Sequence, residues 1–386
     1  MEGDSSVKIV LAPDSYKGSL TAGEACDAME RGIRRAVPEA HIVKVPMADG
    51  GEGTVRSLVD ATGGTTHKVS VRGPLGAQVE AMYGVLGDGA TAVIEVAEAS
   101  GLYLIRPEER NPLAATTYGM GELIKDALDR GCRSFIIGLG GSATNDGGAG
   151  MAEALGARFL DESGRPVGQG GEALGRLASI DGSGMDLRLR ESRFIVACDV
   201  DNPLCGPQGA SAVFGPQKGA TPEMADRLDE ALRTYAAVVQ RDIGADILEL
   251  PGAGAAGGLG GGAVAFLNAE LKPGVEIVIE AAQLAKHLEG ADLVLSGEGQ
   301  CDFQTERGKT PYGVAKQAKR LGVPCVLIAG SIGQGIECLY DSGVVSVFPL
   351  TDKPMPLEQA MREAPRLAED AAERVVRLFA LLKKRS

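Results

Sequence analysis

The sequence predicts an α/β protein of two domains, in which both ends of the chain form a discontinuous parallel-sheet domain and the middle forms an inserted mixed α/β domain. Apolar strands alternate with amphipathic helices at the start of the chain, and this β-α-β pattern returns from Leu293 onward. Between these segments, period-two alternation with glycine-rich turns indicates an antiparallel meander. The chain has 386 residues, too many for one compact core. We expect residues 1–66 and 286–386 in the first domain and residues 67–285 in the second.

Each element is predicted from its own pattern. Short apolar or alternating runs bounded by turn residues predict strands over residues 7–12, 41–45, 65–71, 78–85, 91–96, 135–139, 194–198, 293–296, 324–329 and 344–348. Longer amphipathic runs predict helices over residues 21–36, 52–61, 119–130, 148–155, 221–243, 263–271 and 357–384. The first helix opens with a capping box, Thr21-Ala-Gly-Glu24.

Seven of the eleven residues from Gly252 to Gly262 are glycine. A helix or strand through this segment would carry a large entropic cost, because glycine loses the most conformational freedom on folding. A flexible linker is one interpretation. We prefer a ligand-facing loop, because the segment lies between strongly patterned elements and opens the helix that is predicted to begin near Ala263.

The net charge of −13 argues against nucleic acid or an anionic membrane as a general partner. The seven cysteines are odd in number and lack C-x-x-C spacing, so we interpret them as reduced structural thiols. No early segment resembles a signal peptide, and no apolar run approaches the ~20 residues of a membrane span. We therefore expect a soluble, cytoplasmic protein with small-molecule ligands, whose oligomeric state the sequence leaves open.

The segment from Ser296 to Pro311 predicts a phosphate-handling site. It brings two carboxylates, Glu298 and Asp302, into a glycine-rich turn after a strand, and then places Lys309 before a helix. We expect Thr310 to cap this helix with Pro311 at its first position. Unpaired N–H groups and the helix dipole attract an anion there. The segment is not the usual phosphate loop, because Phe303 stands where that motif needs a glycine.

Two further loops follow strands of the predicted parallel sheet. Asp14, Ser15 and Lys17 follow the first strand, and Asp49 lies among glycines after the second. Ligands bind at the carboxyl ends of strands in open parallel sheets. An ordinary polar loop is the alternative for the first segment, while the flanking glycines would let a ligand approach Asp49 closely.

The segment Gly138-Leu-Gly-Gly-Ser-Ala143 follows a strand and matches G-x-G-x-x-A, with Asp161 about twenty residues later. This pattern is typical of dinucleotide binding. However, Asn145 and Asp146 extend the loop where the helix should begin at once. The longer loop, which includes Gly140, Gly141 and Ser142, suits a small polar ligand or a phosphate better than a dinucleotide.

A pair of aspartates, Asp199 and Asp201, follows another buried strand and precedes Asn202 and Pro203. A D-x-D-x-T motif here would indicate a phosphotransferase of the haloacid dehalogenase type, whose first aspartate is a nucleophile. Pro203 occupies the threonine position and weakens that match. The two carboxylates remain suited to general-base or Mg²⁺ duty.

Taken together, these segments resemble the bacterial glycerate kinase family of the class II, or glycerate 2-kinase, type. The matching blocks run through nearly the whole chain and are Ala12–Gly18, Ala48–Thr54, Gly138–Gly148, Asp199–Leu204, Phe214–Ala220, Gly252–Gly262, Ser296–Gly299 with Gly308–Lys309, and Ile328–Gly330. The resemblance implies phosphoryl transfer from ATP, with Mg²⁺, to a hydroxyl of D-glycerate, with 2-phosphoglycerate favoured over 3-phosphoglycerate. It also implies a Rossmann- or flavodoxin-like outer domain with an inserted second domain.

Given this resemblance, the chemistry of phosphoryl transfer predicts roles for single residues. Phosphoryl transfer depends mainly on positioning and charge neutralisation, so lysines and a metal matter more than a strong base. We expect Lys17 and Lys309 to contact phosphate, Asp199 to accept the hydroxyl proton, and Mg²⁺ to be held by Asp49, Glu298 and Asp302. The predicted substrate or nucleotide contacts are Asp14, Ser15, Gly140, Gly141, Ser142, Asn145, Asp146, Asp201, Asn202, Lys218, Gly258, Gly260 and Gly261.

Two other functions remain open at this point. A haloacid-dehalogenase-like phosphatase would use Asp199 as a covalent nucleophile and release phosphate from phosphoglycerate without ATP. A non-catalytic sugar-acid sensor would bind glycerate without turnover. The presence of Asp199, Lys17 and Lys309 in the sequence argues against such a loss of activity.

Overall fold

The structure is a computed structural model that describes residues 7–51, 53–303, 305 and 308–383, and it confirms the predicted α/β class. The strands are β1 Lys8–Leu11, β2 His41–Lys44, β3 Thr65–Arg72, β4 Gln78–Val85, β5 Thr91–Glu95, β6 Ser134–Gly138, β7 Arg158–Leu160, β8 Ser179–Asp181, β9 Arg193–Ala197, β10 Glu270–Lys272, β11 Leu293–Cys301, β12 Cys325–Ile332 and β13 Val344–Pro349. The helices are α1 Ala22–Ala36, α2 Thr54–Thr62, α3 Val96–Ser100, α4 Tyr118–Asp129, α5 Ala149–Ala154, α6 Ala210–Phe214, α7 Pro222–Asp242, α8 Leu259–Leu267, α9 Gly274–Ala281, α10 Leu284–Leu288, α11 Thr310–Arg320, α12 Glu337–Asp341, α13 Leu357–Arg362 and α14 Ala364–Lys383. None of the helices in the described ranges has the length and apolar character needed to cross a membrane.

Contacts group the chain into two compact units. The first unit comprises Met1–Asp49, Arg56–Thr62 and Val275–Ser386, and the second comprises Gly50–Val55 and Gly63–Gly274. The predicted domain boundaries, at residues 66/67 and 285/286, stay a proposal.

The sheet of the first unit has the strand order β13-β12-β11-β1-β2, and all its neighbouring strands are parallel. Numbered along this sheet alone, that order is 5-4-3-1-2, which is the flavodoxin-like arrangement read from its other edge. The chain leaves β1 towards one edge and returns through β11 towards the other. The direction of winding therefore reverses between β1 and β11, and this switch point is where open parallel sheets bind ligands.

Helices α1 and α14 pack together over the core of the first unit. The capping box predicted for α1 is present: the Glu24 N–H donates to the Thr21 hydroxyl, and the Thr21 N–H donates to the Glu24 carboxylate at 2.9 Å. Gly32, in the middle of α1, permits the close approach of the two helices, because a Cβ there would lie 1.9 Å from the backbone oxygen of Glu369. Buried alanine and methionine side chains of α1 and buried alanine and leucine side chains of α14 belong to the same apolar cluster.

The second unit contains a six-stranded mixed sheet in the order β10-β9-β6-β5-β4-β3. Strands β3, β4 and β5 form the predicted antiparallel meander, whereas β5, β6, β9 and β10 are parallel. Phe135 and Phe194 stack on neighbouring strands with ring centroids 4.5 Å apart. The loops that begin at residues 139 and 198 thus leave the same, carboxyl-terminal edge of this sheet. Strands β7, β8 and β10 were not among the predicted strands.

The prediction that Gly252–Gly262 is wholly a loop is wrong, because α8 begins at Leu259 and includes the last three glycines of the segment. A Cβ on Gly260 would lie 2.3 Å from the backbone oxygen of Gly252, and one on Gly262 would lie 2.2 Å from that of Gly147. The entropic cost of these glycines is therefore offset by backbone packing that no larger residue permits.

Two predicted boundaries also differ from the structure. Strand β11 continues to Cys301, because it pairs with β12 along residues 294–301. The closing helix is two helices, α13 and α14, with Glu363 as the residue between them. Glu52, the predicted start of the second helix, and Lys384, the predicted end of the last one, lie outside the described residues.

Gly32→Ala tests the close packing of α1 on α14. The added methyl group would collide with backbone, so we expect the free energy of unfolding to fall by about 2–4 kcal/mol, as in overpacked cores. The matched control is Gly23→Ala in the same helix, where the nearest atom to an added Cβ is 3.6 Å away. That control should stay within about 1 kcal/mol of the wild type. Urea denaturation measures both, and equal effects would contradict the packing.

Candidate active site

Asp14 connects the switch point of the first sheet to helix α11. Its backbone N–H donates to the oxygen of Gly297 in β11 at 2.9 Å. Its carboxylate accepts hydrogen bonds from the Thr310 hydroxyl at 2.5 Å and from the Ser15 N–H at 2.6 Å. Burial raises the pKa of Asp14 to about 6, and repulsion by Asp49 adds to this, while the bond from Thr310 opposes it.

Glu298 lies beside this connection and is held by two side chains. Its carboxylate accepts a hydrogen bond from the Thr305 hydroxyl at 2.8 Å, and its other oxygen lies 3.4 Å from the Lys309 ammonium. Burial raises the pKa of Glu298, with Asp14 adding to the shift and Thr305 and Lys309 opposing it. The strand approaches its neighbours closely here, because a Cβ on Gly297 would lie 2.0 Å from the oxygen of Ile328.

Two details of this segment correct the sequence interpretation. Glu298 lies within strand β11 and not in the turn that follows it. The residue that caps α11 is Lys309, with no side-chain hydrogen bond to the helix, and Thr310 is already the first helical residue. The Thr310 hydroxyl therefore does not cap the helix and donates its hydrogen bond to Asp14 instead. The positive end of α11 and the Lys309 charge still lie together, as an anion site requires.

The carboxylates near the switch point suit a divalent cation only if a bound ligand supplies further oxygen atoms. Asp14 repels both Asp49 and Glu298, whereas the Asp302 carboxylate accepts a hydrogen bond from Gln300 at 2.9 Å. Within the described ranges, no group of three or more His, Cys, Asp or Glu side chains is arranged to hold a metal. Mg²⁺ is usually bound by one or two carboxylates together with water and substrate phosphates, and the residues present fit that mode.

The loop from Gly138 to Gly148 divides into an exposed turn and a buried stem. Gly140 and Gly141 are exposed, and Gly141 has a left-handed φ of 71°. The buried Asp146 carboxylate accepts hydrogen bonds from the N–H and hydroxyl of Thr117 and from the N–H groups of Gly148 and Gly150. These bonds tie the starts of α4 and α5 together, so Asp146 serves the loop's own structure.

Lys218 lies beneath this loop, and only 2% of the residue is exposed. Its ammonium donates to the Ser142 hydroxyl at 2.9 Å and to the Thr144 backbone oxygen at 2.7 Å. Burial lowers the pKa of Lys218 to about 7, and the Asp146 carboxylate opposes this shift. Asn145 donates to the Ser211 hydroxyl at 2.9 Å. The Thr144 hydroxyl and the Asn145 carbonyl oxygen are buried and have no hydrogen-bond partner in the described part of the chain, and each such atom costs about 1–3 kcal/mol.

The loop after β9 places Asp199 and Asp201 at the surface. The Asp199 carboxylate accepts a hydrogen bond from the N–H of Gly274 at 2.9 Å, and the Asn202 amide donates to the oxygen of Gln208 at 2.7 Å. The backbone oxygen of Asn202 accepts a hydrogen bond from the N–H of Gly254 at 3.0 Å, which fixes the glycine-rich segment to this loop.

The predicted ligand contacts in the glycine-rich segment are used in packing. The N–H groups of Gly258, Gly260 and Gly261 already donate to the backbone oxygens of residues 254, 255 and 253, at 3.3, 3.2 and 3.0 Å. All three glycines are buried. Gly258 permits the close approach of this segment to the loop at residue 147, because a Cβ there would lie 2.8 Å from the Cα of Gly147, whereas Gly260 and Gly261 pack against residues 252 and 253.

The structure therefore brings the predicted residues together in two groups. Asp14, Ser15, Asp49, Glu298 and Lys309 lie around the switch point of the first unit, where Lys17 is exposed on the loop after β1. In the second unit, Lys218 is joined to the Gly138–Gly148 loop, and Asp199, Asp201 and Asn202 follow the neighbouring strand β9.

The partners that orient these groups were not among the predicted site residues; they are Thr117, Ser211, Thr305 and the hydroxyl of Thr310. Only Thr310 had a signal, as a hydroxyl beside the predicted anion site.

Comparisons with known proteins give one consistent family. A profile described as the glycerate kinase family matches residues 9–380. Glycerate kinase of Bacillus subtilis (strain 168) is 52% identical over 377 residues, covering 98% of this chain and 99% of that protein. Glycerate 2-kinase of Escherichia coli (strain K12) is 49% identical over 358 residues, covering 93% and 94%. The crystal structure of a protein assigned as glycerate kinase 2 from Salmonella typhimurium LT2 matches with a TM-score of 0.91 at 50% identity, covering 98% of this chain and 100% of that one.

Asp14→Asn tests the burial of charge at the switch point. The folded-state pKa of about 6 lies above the unfolded value of 3.8, so the native state binds this proton more tightly. The corresponding stability is present below pH 3.8 and is lost as pH rises through 6. The neutral amide avoids that loss, and we expect the variant to exceed the wild type at pH 7 by about 1–3 kcal/mol.

This advantage should vanish near pH 4, and urea denaturation across the pH range measures it. Asp60→Asn, at an exposed position on α2, is the matched control and should show no such dependence. Equal stability of Asp14→Asn and the wild type at pH 7 would contradict the charged burial of Asp14.

Proposed function

Because the chain belongs to the glycerate kinase family, we propose that it transfers the γ-phosphoryl group of ATP to a hydroxyl of D-glycerate, with 2-phosphoglycerate as the favoured product. The observation that carries this proposal is the arrangement at the switch point, where Lys309 and the start of α11 lie against the carboxylates of Asp14 and Glu298. A lysine and a helix N-terminus attract phosphate, and carboxylates beside them can share a nucleotide's cation.

The reaction breaks the bond between the γ-phosphorus and the bridging oxygen, so that ADP leaves, and forms a bond from the glycerate oxygen to the γ-phosphorus. Asp199 accepts the hydroxyl proton, and Lys17 and Lys309 neutralise charge on the phosphates. Mg²⁺ would be held by Asp49, Glu298 and Asp302, directly or through water, and would neutralise further phosphate charge. The remaining catalysis is the positioning of the two substrates.

The named relatives do not favour the alternative functions. The similar proteins with a stated activity are kinases and not phosphatases.

All seven cysteines are free thiols in the structure, which supports the proposed cytoplasmic location.

The phosphorus NMR spectrum of the product from ATP, Mg²⁺ and D-glycerate tests the proposed function. A new phosphate-ester signal with proton coupling from C2 would establish activity and the 2-position together, and coupling to the C3 protons would reassign the acceptor hydroxyl. Phosphate release from phosphoglycerate without ATP would instead support a phosphatase. Binding of D-glycerate without any turnover of ATP would support a sensor.

Substitutions of Lys309 test its role in the transition state. If the lysine contacts the transferred phosphoryl group, Lys309→Ala should lower kcat by about 10²–10³ and raise the KM for ATP much less. Lys309→Arg should rescue poorly, because a planar guanidinium does not replace a compact ammonium. Steady-state kinetics at saturating Mg²⁺ measures both. Lys316→Ala, exposed on the same helix, is the control, and near-wild-type turnover of Lys309→Ala would leave Lys17 as the leading phosphate contact.

Asp199→Asn tests the proton acceptor. The amide oxygen can still accept the bond from Gly274, so thermal stability should change little. Loss of the base should lower kcat by about 10²–10⁴. Asp226→Asn, at an exposed position on α7, controls for the loss of one surface charge. Weaker ATP binding with kcat preserved at saturation would move Asp199 to the nucleotide site.

A further inference from the structure

The exposed turn at Gly140–Ser142 has backbone donors that the protein does not use. The carbonyl of Gly141 and the N–H of Ala143 pair with the segment at residues 100–102. In contrast, the N–H groups of Gly140 and Gly141 have no acceptor among the residues that the structure describes, whereas the Ser142 N–H lies on the inside of the turn. Consecutive N–H groups in a turn form a concave site for an anion, and the left-handed Gly141 shapes this one.

Lys218 stands directly behind that turn but cannot touch a ligand in front of it. The residue is buried, and its ammonium is fixed by the Ser142 hydroxyl and the Thr144 oxygen, on either side of Ala143. A positive charge in a low-dielectric interior acts on a nearby anion far more strongly than an exposed one. The two hydrogen bonds also fix the direction of the stem that carries the turn.

We propose that Lys218 is a positioning residue for an anion site at Gly140–Ser142, where it holds the turn in place and adds positive charge behind the unpaired N–H groups of Gly140 and Gly141. The site receives a carboxylate or phosphate group, supplied by D-glycerate or by ATP. This inference rests on the proposed kinase function and gives Lys218 a different role from the direct ligand contact that the sequence suggested.

Three titratable or charged side chains surround Lys218, and each belongs to a different segment. Asp146 lies in the same loop and is electrostatically coupled to it. Arg110 lies in the segment between α3 and α4, and its guanidinium donates to the backbone oxygen of Gln217. Tyr235 of α7 donates its hydroxyl to the oxygen of Gly147, and burial raises its pKa well above the usual range, so it does not titrate near neutrality. Lys218, with its pKa lowered to about 7 by burial, is therefore the cation that changes charge between pH 6 and 8.

Lys218→Met tests the proposal, because it keeps the length and apolar stem of the side chain and removes the charge. The KM for the ligand bound at the turn should rise about 10- to 100-fold, the usual scale of a charge-assisted interaction, while the KM for the other stays within about twofold. Separate measurements with D-glycerate and with ATP show which ligand supplies the anion. Lys125→Met, exposed on α4, is the matched control and should leave both values unchanged.

The pH profile separates this role from a purely structural one. In the wild type, the KM for that ligand should rise as pH increases from 6 to 8, because the ammonium loses its proton. The rise should be absent in Lys218→Met. Asp146 is still present in this variant, so any pH dependence of the KM that came from Asp146 would remain. A folded Lys218→Met protein with wild-type KM values for both ligands across this pH range would overturn the proposal.

Two further arms keep the test decisive. If Lys218→Met does not fold, Ser142→Ala replaces it: the loss of one anchor should raise the same KM about two- to fivefold, and an unchanged KM would refute the positioning role. If the wild type shows no phosphoryl transfer, the proposed function fails on its own. Calorimetric binding of ATP and of D-glycerate at pH 6 and pH 8 then still tests the turn, and affinities that are equal at both pH values would overturn the inference.

Discussion

The site of the first unit depends on the reversal of winding between β1 and β11. Two adjacent parallel strands whose connections leave in opposite directions create an opening at their carboxyl ends. Asp14 and Glu298 occupy that opening, and the hydrogen bond from Thr310 to Asp14 ties the first turn of α11 to the loop after β1. The positive helix end, the lysine before it and the carboxylates are held together by strand order and one short hydrogen bond.

Both units bury charge in ways that oppose stability. Burial favours the neutral forms of Asp14 and Glu298, and it also favours the neutral form of Lys218. A cation beside the two carboxylates and an anion before the lysine would each restore the charged form. Perturbed carboxylates and amines that a ligand can complement are common at functional sites. The unpaired N–H groups of the turn at Lys218 are likewise groups that a ligand can complement, since only a ligand or solvent can accept their hydrogen bonds.

The sequence predicted what depends on local patterns. It predicted the α/β class, the meander, the capping box of α1, the place of Asp14 after the first strand and the place of Lys309 before α11. It did not predict long-range packing. The helix through Gly260–Gly262 follows from backbone contacts with distant glycines, and the burial of Lys218 follows from where the loop at residue 142 folds. The diversion of Thr310 from capping to Asp14 depends on residues 296 positions apart in the chain.

Hydrogen–deuterium exchange with a non-hydrolysable ATP analogue, Mg²⁺ and D-glycerate tests most directly whether the switch point is the ligand site. We predict slower exchange in peptides that cover residues 12–18 and 308–313, which carry the loop after β1 and the start of α11. Peptides at the amino ends of β2 and β11 in the same sheet, around residues 38–41 and 289–293, serve as internal controls and should be unchanged. Protection confined to those controls, or no protection at residues 12–18 and 308–313 under saturating ligand, would contradict a ligand site at the switch point.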